Sequence, residues 1–263
     1  MKQRVITAVI ALAFFIPLMI MGGIPFQLVV VAMGVIGIYE LFNMKGLELK
    51  CIEGALTLLA TAVMILGPGQ IFGIFPTTMD TNSFFYLFVM IILMLPVFSK
   101  NEYTIEDAAF PVMISLYVGM GFKNLLVARD AGMPVIIYAL FVVWATDIGA
   151  YFFGRKFGTK KFAPHISPNK TIEGALGGIL SAVVVSLFYL MFFPMPNYSL
   201  TTMLVLTIIF SVISQLGDLV QSAYKRYYNV KDSGKILPGH GGILDRFDSL
   251  LFVFPLMHML GVF

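Results

Sequence analysis

The chain has 263 residues, of which 59% are hydrophobic and only 12% are charged, and its formal net charge is +3. Soluble domains carry about 25% charged residues, so what remains here cannot cover a water-facing surface. A mean hydropathy of +0.92 therefore excludes a cytosolic enzyme, a disordered chain and a nucleic-acid binder working through a basic face.

At roughly 20 apolar residues per membrane crossing, the length accommodates about nine crossings and no separate soluble domain. The expected fold is all-α: a polytopic membrane protein, with N-terminal spans in 1–132 and catalytic spans in 133–263 of one continuous integral-membrane domain. A single cysteine, Cys51, excludes a disulfide framework and any CxxC site.

The basic start, Met1 to Arg4, leads into an apolar run over 5–21. No small-x-small cleavage site follows it, only Gly22-Gly23-Ile24-Pro25, so an uncleaved first span is expected. Further apolar runs occupy 27–42, 54–66, 84–98, 111–127, 134–153, 175–193, 202–220 and 243–262. Nine spans would put 14 of the 17 lysines and arginines on the amino-terminal side and only Lys123 and Arg129 opposite, with Arg246 inside the last span. Positive charge stays cytoplasmic, so the amino terminus and two basic loops, at 155–173 and 225–242, are expected to face the cytoplasm.

Polarity is uneven along the chain. The spans before residue 140 read as almost free of ionisable groups, whereas Asp147, Glu173, Asp218, Asp245, Arg246 and Asp248 sit within or at the ends of later runs. An acid at a helix centre costs about 2.5–3.5 kcal/mol on insertion scales. An internal salt bridge, such as Arg246 with Asp248 or Asp218, would answer one such acid but not the whole group.

Gln215, Asp218, Ser222 and Lys225 follow one another at helical spacing and share one face. Asp245 and Asp248 are three apart at the start of the last run. Carboxylate-bearing helix ends without cysteine or paired histidine suit a hard divalent cation such as Mg²⁺. Between them lies a turn with Gly239, His240, Gly241 and Gly242, preceded by Lys231 and Lys235. Its backbone N–H groups could cradle phosphate, although the spacing is not that of a Walker loop. In the other basic loop, Ser167, Lys170, Thr171 and Glu173 precede a span opening with Gly174, Gly177 and Gly178, small residues that allow close helix approach.

The run Ser222-Ala-Tyr-Lys225-Arg226-Tyr-Tyr-Asn-Val-Lys231-Asp232-Ser-Gly-Lys-Ile-Leu-Pro238-Gly-His240-Gly241-Gly242-Ile-Leu-Asp245-Arg246-Phe-Asp248 closely resembles the signature of the phosphatidate cytidylyltransferase (CDP-diacylglycerol synthase) family. Asp147-Ile-Gly-Ala150-Tyr151, Ser167-Pro-Asn-Lys170-Thr171-Ile-Glu173-Gly174 and Gln215-Leu-Gly217-Asp218-Leu219 are similar to that family's other polar blocks. The resemblance extends from about Val142 to the end; earlier spans match in hydropathy alone.

The resemblance implies that CTP and phosphatidic acid react to CDP-diacylglycerol and pyrophosphate with Mg²⁺, a second cation remaining open. It implies Asp218 and Asp245 as metal ligands, supported by Asp248 and Asp147. Lys225, Arg226, Lys231, Asp232, His240 and Arg246 would serve the reacting phosphates. Ser167, Lys170, Thr171, Glu173, Ser222, Gly241 and Gly242 would bind substrate. The expected setting is a bacterial cytoplasmic membrane with the site on its cytoplasmic face, among membrane lipid, with no nucleic-acid partner and a homodimer left open. A cation- or proton-coupled transporter is the alternative, since acids inside a membrane also mark ion pathways. It would more often show polar interruptions in both halves of the chain.

Overall fold

A computed structural model describes residues 2–68, 80–100 and 102–263. Of the basic start, Met1 and the side chains of Lys2 and Arg4 lie outside the described residues. Helices follow one another almost without relief: α1 (Lys2–Met21), α2 (Gly23–Lys45), α3 (Ile52–Leu66), α4 (Thr81–Phe98), α5 (Ile105–Ala131) and α6 (Met133–Phe157). A two-stranded antiparallel hairpin, β1 (Lys161–Ala163) and β2 (Ser167–Thr171), interrupts them. Then come α7 (Ile172–Phe192), α8 (Leu200–Tyr227), the single turn α9 (Leu244–Phe247) and α10 (Leu250–Met259).

Six of the described helices, α2 and α4 to α8, are long and apolar enough to cross a membrane, and the all-α, polytopic membrane architecture is as expected. The remaining three expected spans correspond to shorter apolar helices: Val9–Met21 within α1, α3 and α10. At 1.5 Å per residue, α3 with 15 residues reaches about 22 Å and α10 with 10 residues about 15 Å, short of a hydrocarbon core of about 30 Å. The expected last span over 243–262 is thus corrected. It breaks after Phe247, and the turn at Asp248–Ser249 separates α9 from α10. The basic loop over 155–173 also gains the strand pair, which hydropathy could not reveal.

The chain forms two compact units, Met1–Leu126 with Ser233–Leu244, and Val127–Asp232 with Asp245–Phe263. In the first, α2 packs on α1 and α3, and α3 on α4. Helix α2 ends at Gly46, whose left-handed φ of 76° lets its N–H and that of Leu47 return to the carbonyls of Asn43 and Phe42, a glycine-stopped terminus.

The second unit is built on the pair α6 and α7. A Cβ on Gly178 would stand 2.7 Å from the Thr146 carbonyl oxygen, one on Gly174 2.8 Å from that of Ala150, and one on Gly149 2.9 Å from that of Gly177. Glycines on both helices bring the two backbones together. The small-residue face that the sequence left open to a second copy is therefore taken up by α6 within the same chain. Helix α8 joins this pair through hydroxyls that find partners inside the bundle: Tyr138 with Thr207 at 2.7 Å and Thr146 with Ser211 at 2.8 Å. Each satisfies a polar group that lipid could not.

The α6–α7 seam gives a direct test. Replacing Gly178 with valine is expected to cost about 1–3 kcal/mol through overpacking, read as a lower thermal midpoint in detergent. An unchanged midpoint would show that the backbones are not held at this distance.

Candidate functional site

In the second unit, the polar stripe of α8 is assembled as its spacing predicts. Gln215 is buried and donates from Nε2 to the Ala175 carbonyl at 3.3 Å. Asp218, three residues on, is ion-paired with Lys170 of β2, and the Ser222 hydroxyl approaches its Oδ1 at 3.5 Å. Lys225 Nζ lies 2.7 Å from Asp245 Oδ1 at the start of α9, where only 5% of the aspartate side chain is exposed. Arg226 donates from Nε to the Ile166 carbonyl at 3.2 Å, tying the end of α8 to the hairpin. The positive charges of Lys225 and Arg226 also suit the last turn of α8, where carbonyls accumulate negative potential.

Asp147 of α6 and Asp248 after α9 belong to the same cluster. The charges of Asp147 and Asp218 act on one another and both act on Asp248; Lys170 and Arg246 offset Asp147, and Lys225 offsets Asp248. Four carboxylates thus gather with three cations. Asp248 Oδ1 also accepts from the Ser249 N–H at 2.8 Å, while the Ser249 hydroxyl donates to the Ser214 carbonyl at 2.9 Å. Gly217 permits this approach, since a Cβ there would meet the Asp248 carbonyl oxygen at 2.8 Å.

The residues before α7 divide their work. Thr171 is buried and caps α7, accepting from the Gly174 N–H at 3.1 Å, the usual service of a threonine at a helix start. The Glu173 carboxylate accepts from the Thr159 N–H at 3.1 Å, the Thr159 hydroxyl at 2.5 Å and the Lys160 N–H at 3.2 Å. Ser167 opens β2, half-buried. Of the four residues singled out here by sequence, Lys170 is the one that meets an acid of the cluster. Lys231 and Asp232 are exposed beyond α8.

The donor chemistry of the acid cluster fits a hard cation, being oxygen-only and richer in carboxylates than in cations. Its present geometry is not that of a bound ion. Among the described residues no group of three or more His, Cys, Asp or Glu side chains is arranged to hold a metal. The two acids expected as principal ligands are turned instead toward Lys170 and Lys225. These two acids are paired with lysines, while Arg246 acts on Asp147.

The glycine-rich segment belongs to the first unit and is built differently from a free phosphate nest. Leu237 and Gly241 bridge, with Leu237 N–H donating to Gly241 at 3.0 Å and His240 N–H to Leu237 at 2.8 Å. This tight turn needs positive φ at Gly239 and Gly241, 79° and 86°. The Thr7 hydroxyl of α1 donates to the Pro238 carbonyl at 2.9 Å.

Beneath the turn lies Glu40 of α2, 1% exposed, which the sequence reading passed over. It accepts from the Ser233 hydroxyl at 2.7 Å, the Ile243 N–H at 2.7 Å and the Leu244 N–H at 3.0 Å. A Cβ on Gly234 would stand 2.8 Å from Glu40 Oε1, and one on Gly242 would overlap both carboxylate oxygens. Gly234 and Gly242 therefore make room for a carboxylate, and two amides beside the turn are already committed to it. The signal was present: Glu40 is an acid inside the apolar run over 27–42, the kind of residue that intramembrane cost marks out.

Gly242→Ala is expected to push Glu40 and Ser233 aside and loosen this segment. The check is limited trypsinolysis in detergent, with faster cleavage after the exposed Lys235 than in wild type. Equal cleavage rates would count against the packing described.

The family model described as "Cytidylyltransferase family" matches residues 2–263. The chain is 44% identical over 260 residues to the phosphatidate cytidylyltransferase of Staphylococcus haemolyticus (strain JCSC1435), covering 99% of this chain and 98% of that one. It is 42% identical over 264 residues to the phosphatidate cytidylyltransferase of Bacillus subtilis (strain 168), covering 99% and 97% respectively.

Proposed function

The chain belongs to the cytidylyltransferase family, among nucleotidyltransferases related to phosphatidate cytidylyltransferases, and from that premise we propose that it makes CDP-diacylglycerol. A phosphate oxygen of phosphatidic acid attacks the α-phosphorus of CTP; the new P–O bond forms as the bond to the β-phosphate breaks, and pyrophosphate leaves. The observation that carries this reading is the gathering of four carboxylates and three cations inside an otherwise apolar bundle.

Both reactants are anionic, so the dominant barrier is bringing one phosphate against another. The attacking oxygen already carries charge, which leaves charge neutralisation and in-line orientation as the main tasks. Lys170 and Lys225 are suited to these tasks because each is held ready by an aspartate. On arrival of phosphate, each ammonium can turn from carboxylate to phosphate, releasing Asp218 and Asp245 as acceptors. Those two, with Asp248 and Asp147, are the residues that would hold Mg²⁺. Bound there, the ion would supply charge screening and fixed geometry at the phosphates.

Arg226, Lys231, His240 and Arg246 are proposed to contact triphosphate or lipid phosphate, with Asp232 beside them in sequence and Ser222, Gly241 and Gly242 as substrate contacts. Ser167, Thr171 and Glu173 would contribute by shaping the hairpin from which Lys170 projects. The protein is an integral membrane protein, and the skew of lysine and arginine supports a cytoplasmic site in the bacterial inner membrane. The lipid would then enter from the bilayer and the nucleotide from water. The relatives do not favour the transporter reading.

Purified protein in mixed micelles with phosphatidate and labelled CTP is expected to form labelled CDP-diacylglycerol. Asp218→Asn and Asp245→Asn should each lower the rate at least about 100-fold, the scale of losing a charge-stabilising group. Full turnover in both variants would remove the assignment of these acids. Chelation with EDTA should stop product formation and added Mg²⁺ restore it; turnover unaffected by the chelator would exclude the metal.

A further inference from the structure

Glu40 stands outside the chemistry just described, yet the segment Ser233–Leu244 is organised around it. Donors reach both of its oxygens: Ile243 N–H reaches Oε1, while the Ser233 hydroxyl and Leu244 N–H reach Oε2. They come from both ends of the segment Ser233–Leu244, so one side chain closes that segment into a loop. Gly37, one helical turn earlier on α2, continues the seat: a Cβ there would stand 3.1 Å from Leu244 Cδ2, and Leu244 is fully buried. Thr7 supports the loop's far end through Pro238.

A buried acid is expensive in an apolar helix, and a plain turn of this length does not require one. What the carboxylate provides is a pure two-oxygen acceptor with no proton to donate, which no neutral side chain of its length offers.

We propose that Glu40 is a positioning residue of the cytidylyltransferase reaction, fixing the loop that presents His240, Gly241 and Gly242 to the nucleotide's phosphates. This rests on the proposed function for the identity of the ligand, though not for the role of Glu40 in the loop. The glutamine variant is the informative one because it nearly preserves volume. Whichever way the amide turns, its NH₂ replaces an oxygen that accepts from a backbone N–H, so Ile243 or Leu244 loses its acceptor. Ser233→Ala is the milder variant, removing one donor and leaving both backbone contacts.

The experiment compares wild type, Glu40→Gln and Ser233→Ala in detergent by amide hydrogen exchange, thermal midpoint and steady-state kinetics. Glu40→Gln is expected to speed exchange within 233–244 while leaving α7 protected, and to raise KM for CTP roughly 10-fold, the scale of a lost hydrogen bond to a charged group. KM for phosphatidate should move less than about twofold, and Ser233→Ala should fall between wild type and Glu40→Gln in exchange and in KM for CTP.

Wild-type exchange and wild-type KM for CTP in Glu40→Gln would overturn the proposal. So would a lowered midpoint with unchanged constants per folded molecule, the outcome of a merely structural role. If wild-type protein forms no CDP-diacylglycerol, the functional reading falls by itself, and the exchange profile still decides whether Glu40 holds the loop.

Discussion

Lys170 against Asp218 and Lys225 against Asp245 are the contacts on which the polar interior of the second unit depends. Charge placed beside an apolar bundle is best answered by charge, most of all at Asp245, whose side chain is only 5% exposed. Taking one partner away removes the charge that offsets the other. The same pairing that makes the acids tolerable also holds the lysine ammonium groups in place, so one arrangement serves both the folded chain and the reaction proposed for it.

Four parts of the sequence bring these charges together by ordinary local chemistry. The hairpin carrying Lys170 is fastened through Glu173 and through the Arg226 contact to Ile166. Helix α8 carries Asp218 and Lys225 two turns apart. The turn after α9 directs Asp248 through Ser249. The glycine contacts of α6 and α7 set how near Asp147 comes, because Gly174 and Gly178 bring backbone against backbone and Gly149 receives the Ser181 side chain.

Much of this was legible in the sequence. Apolar runs located the helices, since a membrane helix is defined by composition along its whole length. The stripe from Gln215 to Lys225 follows from helical periodicity alone, and the family resemblance, carried only from about Val142 onward, agrees with relatives that match nearly the entire chain. Other features were not legible. The break at Asp248–Ser249 follows the charges of Asp245, Arg246 and Asp248, but charges at the start of an apolar run do not by themselves say whether the helix stops there or continues. The pairing of Asp218 with Lys170 joins residues 48 positions apart, which periodicity cannot reach. Glu40 was overlooked because a lone acid in a long apolar helix looks incidental until its donors, some 200 residues away, are seen.

The fastening of the hairpin limits how substrates can arrive. Its entry is held by the carboxylate at the mouth of α7, and its bend is held by the guanidinium at the foot of α8. A strand pair clamped at both places cannot swing like a flap without breaking several bonds together. Under the function proposed here, a lipid reaching Lys170 would meet a stationary hairpin rather than a moving flap.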